Sequence, residues 1–253
     1  MSLPYALHSS AAAALLAALA GGSHAVIARG ARPSTGSIHG TVAFGGTVRY
    51  AGTTPAAEAI DMTADPYCAA GHQGDAPATR PIETDASGNL RNAIVYVKQA
   101  PPAGQDVAPA APAVLDQRGC IYDPHVVALR VGQTLVIRNS DATLHNVHVR
   151  ARENRNFNIG QPIRGLEAKR TFDRAEVGID VSCDIHGWMN GAIAVFDHPW
   201  FAVTGEDGRF ALDGLPPGEY VLEVWHESLG KLSQTVTVAA GDQGSAMFTF
   251  PGT

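Results

Sequence analysis

The sequence predicts an all-β protein, and three observations predict it. Twenty-seven glycines and sixteen prolines punctuate 253 residues. Between the turn dipeptides, short runs of Val, Ile, Thr and Phe recur from end to end, as half-buried or buried strands require. Helical periodicity is scarce. The length allows one large or two modest domains. A formal net charge of −6 without a Lys/Arg cluster argues against a nucleic-acid partner.

Taken in chain order, residues 1–25 carry no charged side chain. They hold the apolar run Ala11 to Ala20, followed by the A-x-A-like Ser23-His24-Ala25. A signal peptide is expected there, although it lacks a basic n-region. The run is too short to cross a bilayer, and no other stretch reaches about 18 apolar residues, so no stable membrane span is expected. The mature chain is expected in the periplasm or outside the cell. Pro and Ala dominate Gln99 to Pro112, which reads as a semi-rigid linker. On a strand from His145, the side chains of His145, Val147 and Val149 share one face, and Asn146 and His148 the other. Glu176 to Ser182 is a turn followed by alternating residues, and Gly191 to Phe196 reads as a buried strand ending before Pro199. Residues 183–189 therefore form a short loop between two strands. Further on, Asp207-Gly208 suits a hairpin and Pro217-Gly218 a type II turn. In Trp225-His226-Glu227 the histidine reads as structural.

The chemistry is concentrated in the loop Cys183-Asp184-Ile185-His186-Gly187-Trp188-Met189 and in His145 upstream of it. One thiolate, two imidazoles and one thioether make the trigonal His₂Cys set with a weak axial Met that holds copper for one-electron transfer. Zinc is the competing metal, but structural zinc sites favour several Cys and do not recruit thioether. Without metal, Cys183 would be a core thiol and Met189 a gap filler. His148, on the opposite face from His145, reads as solvated. An enzyme is disfavoured, because none of the ten histidines is spaced His-x-His as multicopper oxidases need, and the loop lacks the second Cys of a binuclear electron-transfer site.

These residues carry a family resemblance. Pro124-His125-Val126, the run Val131 to Asn139, His145-Asn146-Val147-His148, Gly178 and Cys-x2-His-x2-Met together resemble a cupredoxin over Gly119 to Pro199. The short ligand loop is most similar to those of amicyanin and other plastocyanin-like proteins. The resemblance implies a Greek-key β-sandwich with type 1 copper held by His145, Cys183, His186 and Met189. It implies that Asn146 ties the two ligand segments together. Where amicyanin-like loops place prolines, this chain has Asp184, Ile185 and Gly187, so the hydrogen bonding around the thiolate is its own. With Cys183 assigned to metal, Cys68 and Cys120 remain, and an oxidising compartment favours their bridging over two unpaired thiols.

A second resemblance is split in two. Ile38 to Val42 and Gly88 to Val97 look like the opening of a carboxypeptidase regulatory-like, transthyretin-like β-sandwich, whose continuation is Thr204 to Leu222. The implied organisation is a sandwich at 37–100 and 200–253, a linker at 101–112, and a cupredoxin-like copper domain at 113–199 inserted between them; consecutive small β units with irregular boundaries are the alternative. Sugar binders exist on that fold, but fold alone does not establish sugar binding. The functional expectation is an exported blue copper protein that carries single electrons and docks a redox partner near His186 and Trp188. A copper-sequestering or delivery protein, and a structural or carbohydrate-binding-like module, are the alternatives.

Overall fold

The structure, a computed structural model, describes residues 42–72, 77–79, 81–101, 109, 111–241 and 244–252. The expected signal peptide at 1–25, the residues Ile38 to Thr41 and most of the linker (102–108 and 110) lie outside them. The described residues are almost entirely strand and turn, the all-β class that the sequence predicts.

Four sheets stack face to face, separated by three hydrophobic cores. In the first sheet, β1 (Val42–Tyr50) pairs antiparallel with β15 (Arg209–Leu215) and parallel with β18 (Ser245–Phe250). In the second, β4 (Ile94–Val97) lies between β14 (Phe201–Val203) and β16 (Gly218–His226), and β17 (Gly230–Val238) extends the far edge. Both sheets are thus built from strands before residue 98 and after residue 200. The third sheet holds β10 (Phe157–Gln161), β9 (His145–Arg150), β12 (Glu176–Ser182), β13 (Asn190–Phe196) and β7 (Val126–Arg130), in that order. The fourth holds β11 (Glu167–Arg170), β8 (Leu135–Asn139), β5 (Ala113–Arg118) and β6 (Ile121–Asp123). A small ladder of β2 (Glu58–Ala59) and β3 (Ala78–Thr79) and one short helix, α1 (Pro66–Gly71), complete the described elements.

The period-2 alternation of the strands explains the stacking. Along β4, Val95 and Val97 enter the core shared with Phe44, Phe210 and Phe248, while Ile94 and Tyr96 enter a second core with Val126, Ala194 and Phe196. Along β13, Ala192, Ala194 and Phe196 face that second core, and Ile193 and Val195 face a third, which also holds Leu129, Ile137 and Val147. Strands covered on both faces read as continuous apolar runs. Each such side chain, fully buried, contributes about 1.5–3 kcal/mol. The second and third sheets are therefore joined by packed apolar surface.

Gly178 marks where that packing is tightest. It has φ +78° at a register shift between Val177 and Ile179 of β12, and a Cβ there would sit 2.9 Å from Trp225 Cζ2 on β16. Only glycine satisfies both the backbone and the approach. Asp207-Gly208 differs from the sequence expectation. It turns the chain from β14 to β15, which lie in different sheets, so it is a corner between layers and not a hairpin. Gly208 (φ +65°) presses against the backbone of Val48 and Leu90 there, where a Cβ would lie 2.7 Å from Val48 O.

Candidate metal centre

The antiparallel register of β12 and β13 pairs Ser182 with Asn190, which leaves 183–189 as the loop closing that strand pair. Backbone bonds tighten it: Cys183 N donates to Met189 O at 3.0 Å and Met189 N to His186 O at 2.8 Å. Strand β9 runs beside β12, with His148 opposite Ser182, and so carries His145 to the same end of the sheet. The expected inward face of β9 is observed, since His145, Val147 and Val149 are all fully buried. His148 on the other face is half-buried and meets Asp184 at 3.0 Å.

His145, Cys183 and His186 converge. Their Nδ1 and Sγ atoms include a pair of imidazole nitrogens, His145 Nδ1 and His186 Nδ1, that face each other at 2.9 Å, with Cys183 Sγ 3.8 Å from His186 Nδ1. All three residues are buried, His145 completely. Met189 is also buried, in the core that holds Cys183, and its backbone is bonded to both Cys183 and His186. Asn146 bridges the strand that carries His145 and the loop 183–189. Its Oδ1 accepts from Asp184 N at 2.7 Å and from the Cys183 thiol at 3.2 Å, while Tyr122 Oη donates to its carbonyl at 2.6 Å.

Two carboxylates set the imidazoles, and the sequence reading missed both. Asp141 Oδ2 lies 2.9 Å from His145 Nε2 and Asp65 Oδ2 3.0 Å from His186 Nε2. An acceptor at Nε2 holds the proton there and leaves the Nδ1 lone pair free. Two Nδ1 lone pairs and a sulfur then aim at one small volume, which only a proton or a cation can reconcile. The donor set therefore fits a soft or borderline metal ion on its own geometry.

Electrostatics agree with that picture. Burial pushes His145 down, but its hydrogen bonds to Asp141 and Cys183 outweigh it and hold the imidazole up at about 9. Burial pushes the Cys183 thiol up, yet His145 and backbone N–H groups bring it below its ordinary value. Asp65, despite burial, is held at about 2 by hydrogen bonds from Thr143, His186 and the amides of Cys68 and Tyr67.

Asp65 reaches the centre because it caps α1. Its Oδ1 accepts from Tyr67 N at 2.8 Å and Cys68 N at 3.2 Å, with Pro66 in the first turn. Thr143 Oγ1 donates to its Oδ2 at 2.8 Å. Cys68 and Cys120 form the expected disulfide. Cys68 Sγ lies 3.9 Å from His186 Nε2, and Cys120 N donates to Asp141 Oδ2 at 2.8 Å. The disulfide thus spans the back of both histidine–carboxylate pairs. His186 is only 2 % exposed beneath this cover, and Trp188, whose Nε1 donates to Cys120 O at 2.9 Å, is half-buried beside it. Sequence offered one signal for Asp65, the Asp-Pro helix start, and none for the histidine it would meet. His226, 2 % exposed, accepts from Ser228 N at 3.2 Å in a separate cluster with His125 and Glu227, away from these residues.

No protein-family model matches the chain, and no curated protein matches it. Solved structures resemble part of it. A copper-containing nitrite reductase from Thermus scotoductus SA-01 is 22 % identical over 39 % of this chain and 25 % of its own, with a TM-score of 0.33. This chain thus spans about a quarter of that reductase. A purple cupredoxin from Nitrosopumilus maritimus is 21 % identical over 33 % of this chain and 98 % of its own, at TM-score 0.29. A Cu(I) form of an amicyanin mutant is 25 % identical over 40 % of this chain and 97 % of its own, at TM-score 0.30. Likeness at these TM-scores carries no weight for the chemistry, which rests on the chain's own donor atoms. None of the described helices is long and apolar enough to cross a membrane.

Proposed function

We propose that the chain is an exported type 1 copper protein that carries single electrons between redox partners and is not itself an enzyme. The observation that carries this reading is the pair of buried Nδ1 atoms 2.9 Å apart with one cysteine sulfur beside them. His145, Cys183 and His186 would hold the metal, with Met189 as the weak axial donor. Copper bound there supplies one-electron exchange between Cu(II) and Cu(I). The protein's part is to hold both imidazoles by Asp141 and Asp65, to clamp the thiolate through the backbone amides of Asn146 and His186, and to keep water out. A ligand set fixed from behind on both histidines resists rearrangement when the charge changes.

The rest of the reading follows the same chain of residues. Residues 113–199 form the copper unit, set within a second, carboxypeptidase regulatory-like sandwich made by 37–100 and 200–253, with 101–112 as the linker and 1–25 as a signal peptide. The cross-pairing of β1 with β15 and of β4 with β14 and β16 supports the insertion. The buried disulfide supports a periplasmic or secreted location. A redox partner would dock near His186 and Trp188. Because His186 itself is covered, the contact would fall on Trp188 and on the exposed apolar neighbours Leu144 and Ile185, which are 41 % and 53 % exposed. The covering of His186 is also the one observation that favours the second reading, a copper-holding or delivery protein without redox turnover.

The test is the visible spectrum of the copper-loaded chain. Electron transfer requires an intense thiolate-to-copper band that a reductant bleaches and an oxidant restores, and Cys183→Ser should abolish it together with most copper affinity. Full copper occupancy without the band would sink the electron-carrier reading. A band that bleaches only over hours with protein-sized reductants would move the function to copper holding.

A further inference from the structure

The side-chain amide of Asn146 can face Cys183 with either end, because its oxygen and nitrogen have nearly the same shape. Its neighbours decide which. They close a triangle on the outer face of the third sheet. Asp184 Oδ2 accepts from Asn158 Nδ2 at 2.6 Å and from Asn146 Nδ2 at 3.2 Å, and Asn158 Oδ1 accepts from Asn146 Nδ2 at 2.7 Å. The three corners come from β9, from β10 and from the ligand loop, with Asn158 opposite His148 in the register. The other carboxylate oxygen of Asp184 meets His148 Nδ1 at 3.0 Å and Arg150 Nη2 at 3.6 Å. Nothing in this triangle touches His145 or His186.

We infer that Asp184 is a positioning residue, whose carboxylate turns the Asn146 amide so that an oxygen and not an N–H group meets the Cys183 sulfur. An ionised carboxylate only accepts hydrogen bonds. Asn158 must therefore present Nδ2 to Asp184, which leaves its oxygen for Asn146. Asn146 in turn presents Nδ2 to that oxygen and to Asp184, which leaves its own oxygen directed inwards. There Oδ1 accepts from Asp184 N at 2.7 Å and lies 3.2 Å from Cys183 Sγ. One residue thus holds both ends of the amide. Reversal would set Nδ2 against the Asp184 N–H and Oδ1 against its carboxylate, two repulsive contacts in place of two hydrogen bonds. A thiol can donate to the inward oxygen, whereas a thiolate cannot, and hydrogen bonds to its charge are left to backbone N–H groups such as His186 N at 3.4 Å. Hydrogen bonding around the cysteine sulfur tunes the potential of a copper centre, and a withheld donor favours Cu(II). The orientation belongs to the metal-free chain, and only this last consequence rests on the copper reading.

The experiment compares the full chain with Asp184→Ala, which removes the acceptor, and Asp184→Asn, which removes the charge but keeps an oxygen that accepts. The side chain is 43 % exposed, so neither change disturbs a core. Asp180→Asn is the control, since it neutralises a carboxylate that pairs with Arg150 at 2.9 Å without being part of the triangle. In the metal-free protein, NMR reads the exchange of the Asn146 and Asn158 side-chain N–H groups with water. Asp184→Ala should speed both by about tenfold, the scale of one lost hydrogen bond, Asp184→Asn should restore most of the protection, and Asp180→Asn should change neither. In the copper-loaded protein, Asp184→Ala should favour Cu(I) by about tenfold, which is about 59 mV for one electron, and by more than Asp184→Asn does. Unchanged protection of Asn146 in Asp184→Ala, or equal effects of the Ala and Asn variants, would overturn the inference, the second by showing that charge alone acts. The amide readings are taken without metal, so they decide the positioning role separately from the copper reading.

Discussion

The two histidines of the centre do the same chemical work by opposite routes. His145 stands on β9 and is held by Asp141, four residues away in the chain and across one turn. His186 stands on a loop and is held by Asp65, 121 residues away, which arrives on a capped helix pinned by a disulfide. Both end with Nε2 on a carboxylate and Nδ1 free. The first arm is local and comes with β9 and the turn that precedes it. The second is a long-range graft that also closes the face of His186. Orientation of a metal ligand can therefore be supplied by the fold or added from outside it. An added arm carries something the local one does not: it can be removed without unmaking the strand that bears the ligand.

The largest expected effect breaks the long-range arm at its anchor. Replacing Cys68 and Cys120 by Ala opens a span of 52 residues, for which chain-entropy reasoning gives about 4 kcal/mol of lost stability. Chemical denaturation measures the loss, and hydrogen exchange locates it. The amides of Tyr67 and Cys68 should exchange faster, while those of Gly119 and residue 120, bonded to Asp141, stay protected. Equal deprotection of both sets would mean that the two arms are one cooperative unit.

Next come the carboxylates themselves. Asp141→Asn and Asp65→Asn should each weaken copper binding about 10- to 100-fold, the usual scale for a partner that orients a ligating histidine. Competition against a chelator gives the number. Asp141 should cost more, because its side chain is 4 % exposed against 16 % for Asp65, and water can replace the outer carboxylate more readily. A reversed order would make the grafted arm the dominant one.

How much of this could be read from the sequence follows the same divide. The loop 183–189 and the face of β9 that carries His145 were legible, because loop spacing and strand period are local properties. The strand-rich halves at either end were legible as turns and alternation. The disulfide was legible by elimination once Cys183 had a role. Asp141 lay close enough to His145 to be found, but nothing in Asn139-Ser140-Asp141 distinguishes it from an ordinary turn. Asp65-Pro66 announces a helix start, and α1 went unread because six residues are too few for periodicity. That its carboxylate meets His186 depends on tertiary packing alone. The Asp207-Gly208 turn failed for a related reason, since a turn dipeptide does not say which sheet the next strand will join.

A smaller effect separates the arms by pH. His145 in the metal-free protein is held at about 9, above its ordinary value near 6.5 in the unfolded chain. A raised value means that its contribution is present in full below pH 6.5 and is lost as the pH rises through 9. The loss should be on the order of 1–3 kcal/mol. Cys183, held below its ordinary value, works in the opposite direction, so the comparison is with Asp141→Asn, which keeps the thiol. The metal-free wild type should lose stability between pH 6 and 9.5 more steeply than that variant, and copper-loaded protein should not show the slope. A ring proton titrating near 6.5 at His145 would contradict the assignment.

The smallest effect is the most selective. Thr143 Oγ1 donates to Asp65 Oδ2 at 2.8 Å and is a direct link between the grafted arm and the turn that leads into β9. Thr143→Val keeps the shape and removes the donor, at a cost of about 1 kcal/mol for a single, partly solvated hydrogen bond. Asp65 should then titrate higher, because one of the groups that lowers it is gone. Copper should be held about fivefold less tightly, the affinity equivalent of that free energy, while the Asp141 pair is undisturbed. Thr143→Ser, which restores the hydroxyl, should restore both values. Isotope-edited NMR of the Asp65 carboxyl and the chelator competition read the two consequences separately. If Asp65 moves and copper affinity does not, the amides of Tyr67 and Cys68 suffice to hold the carboxylate on His186, and the arm is anchored by its helix alone.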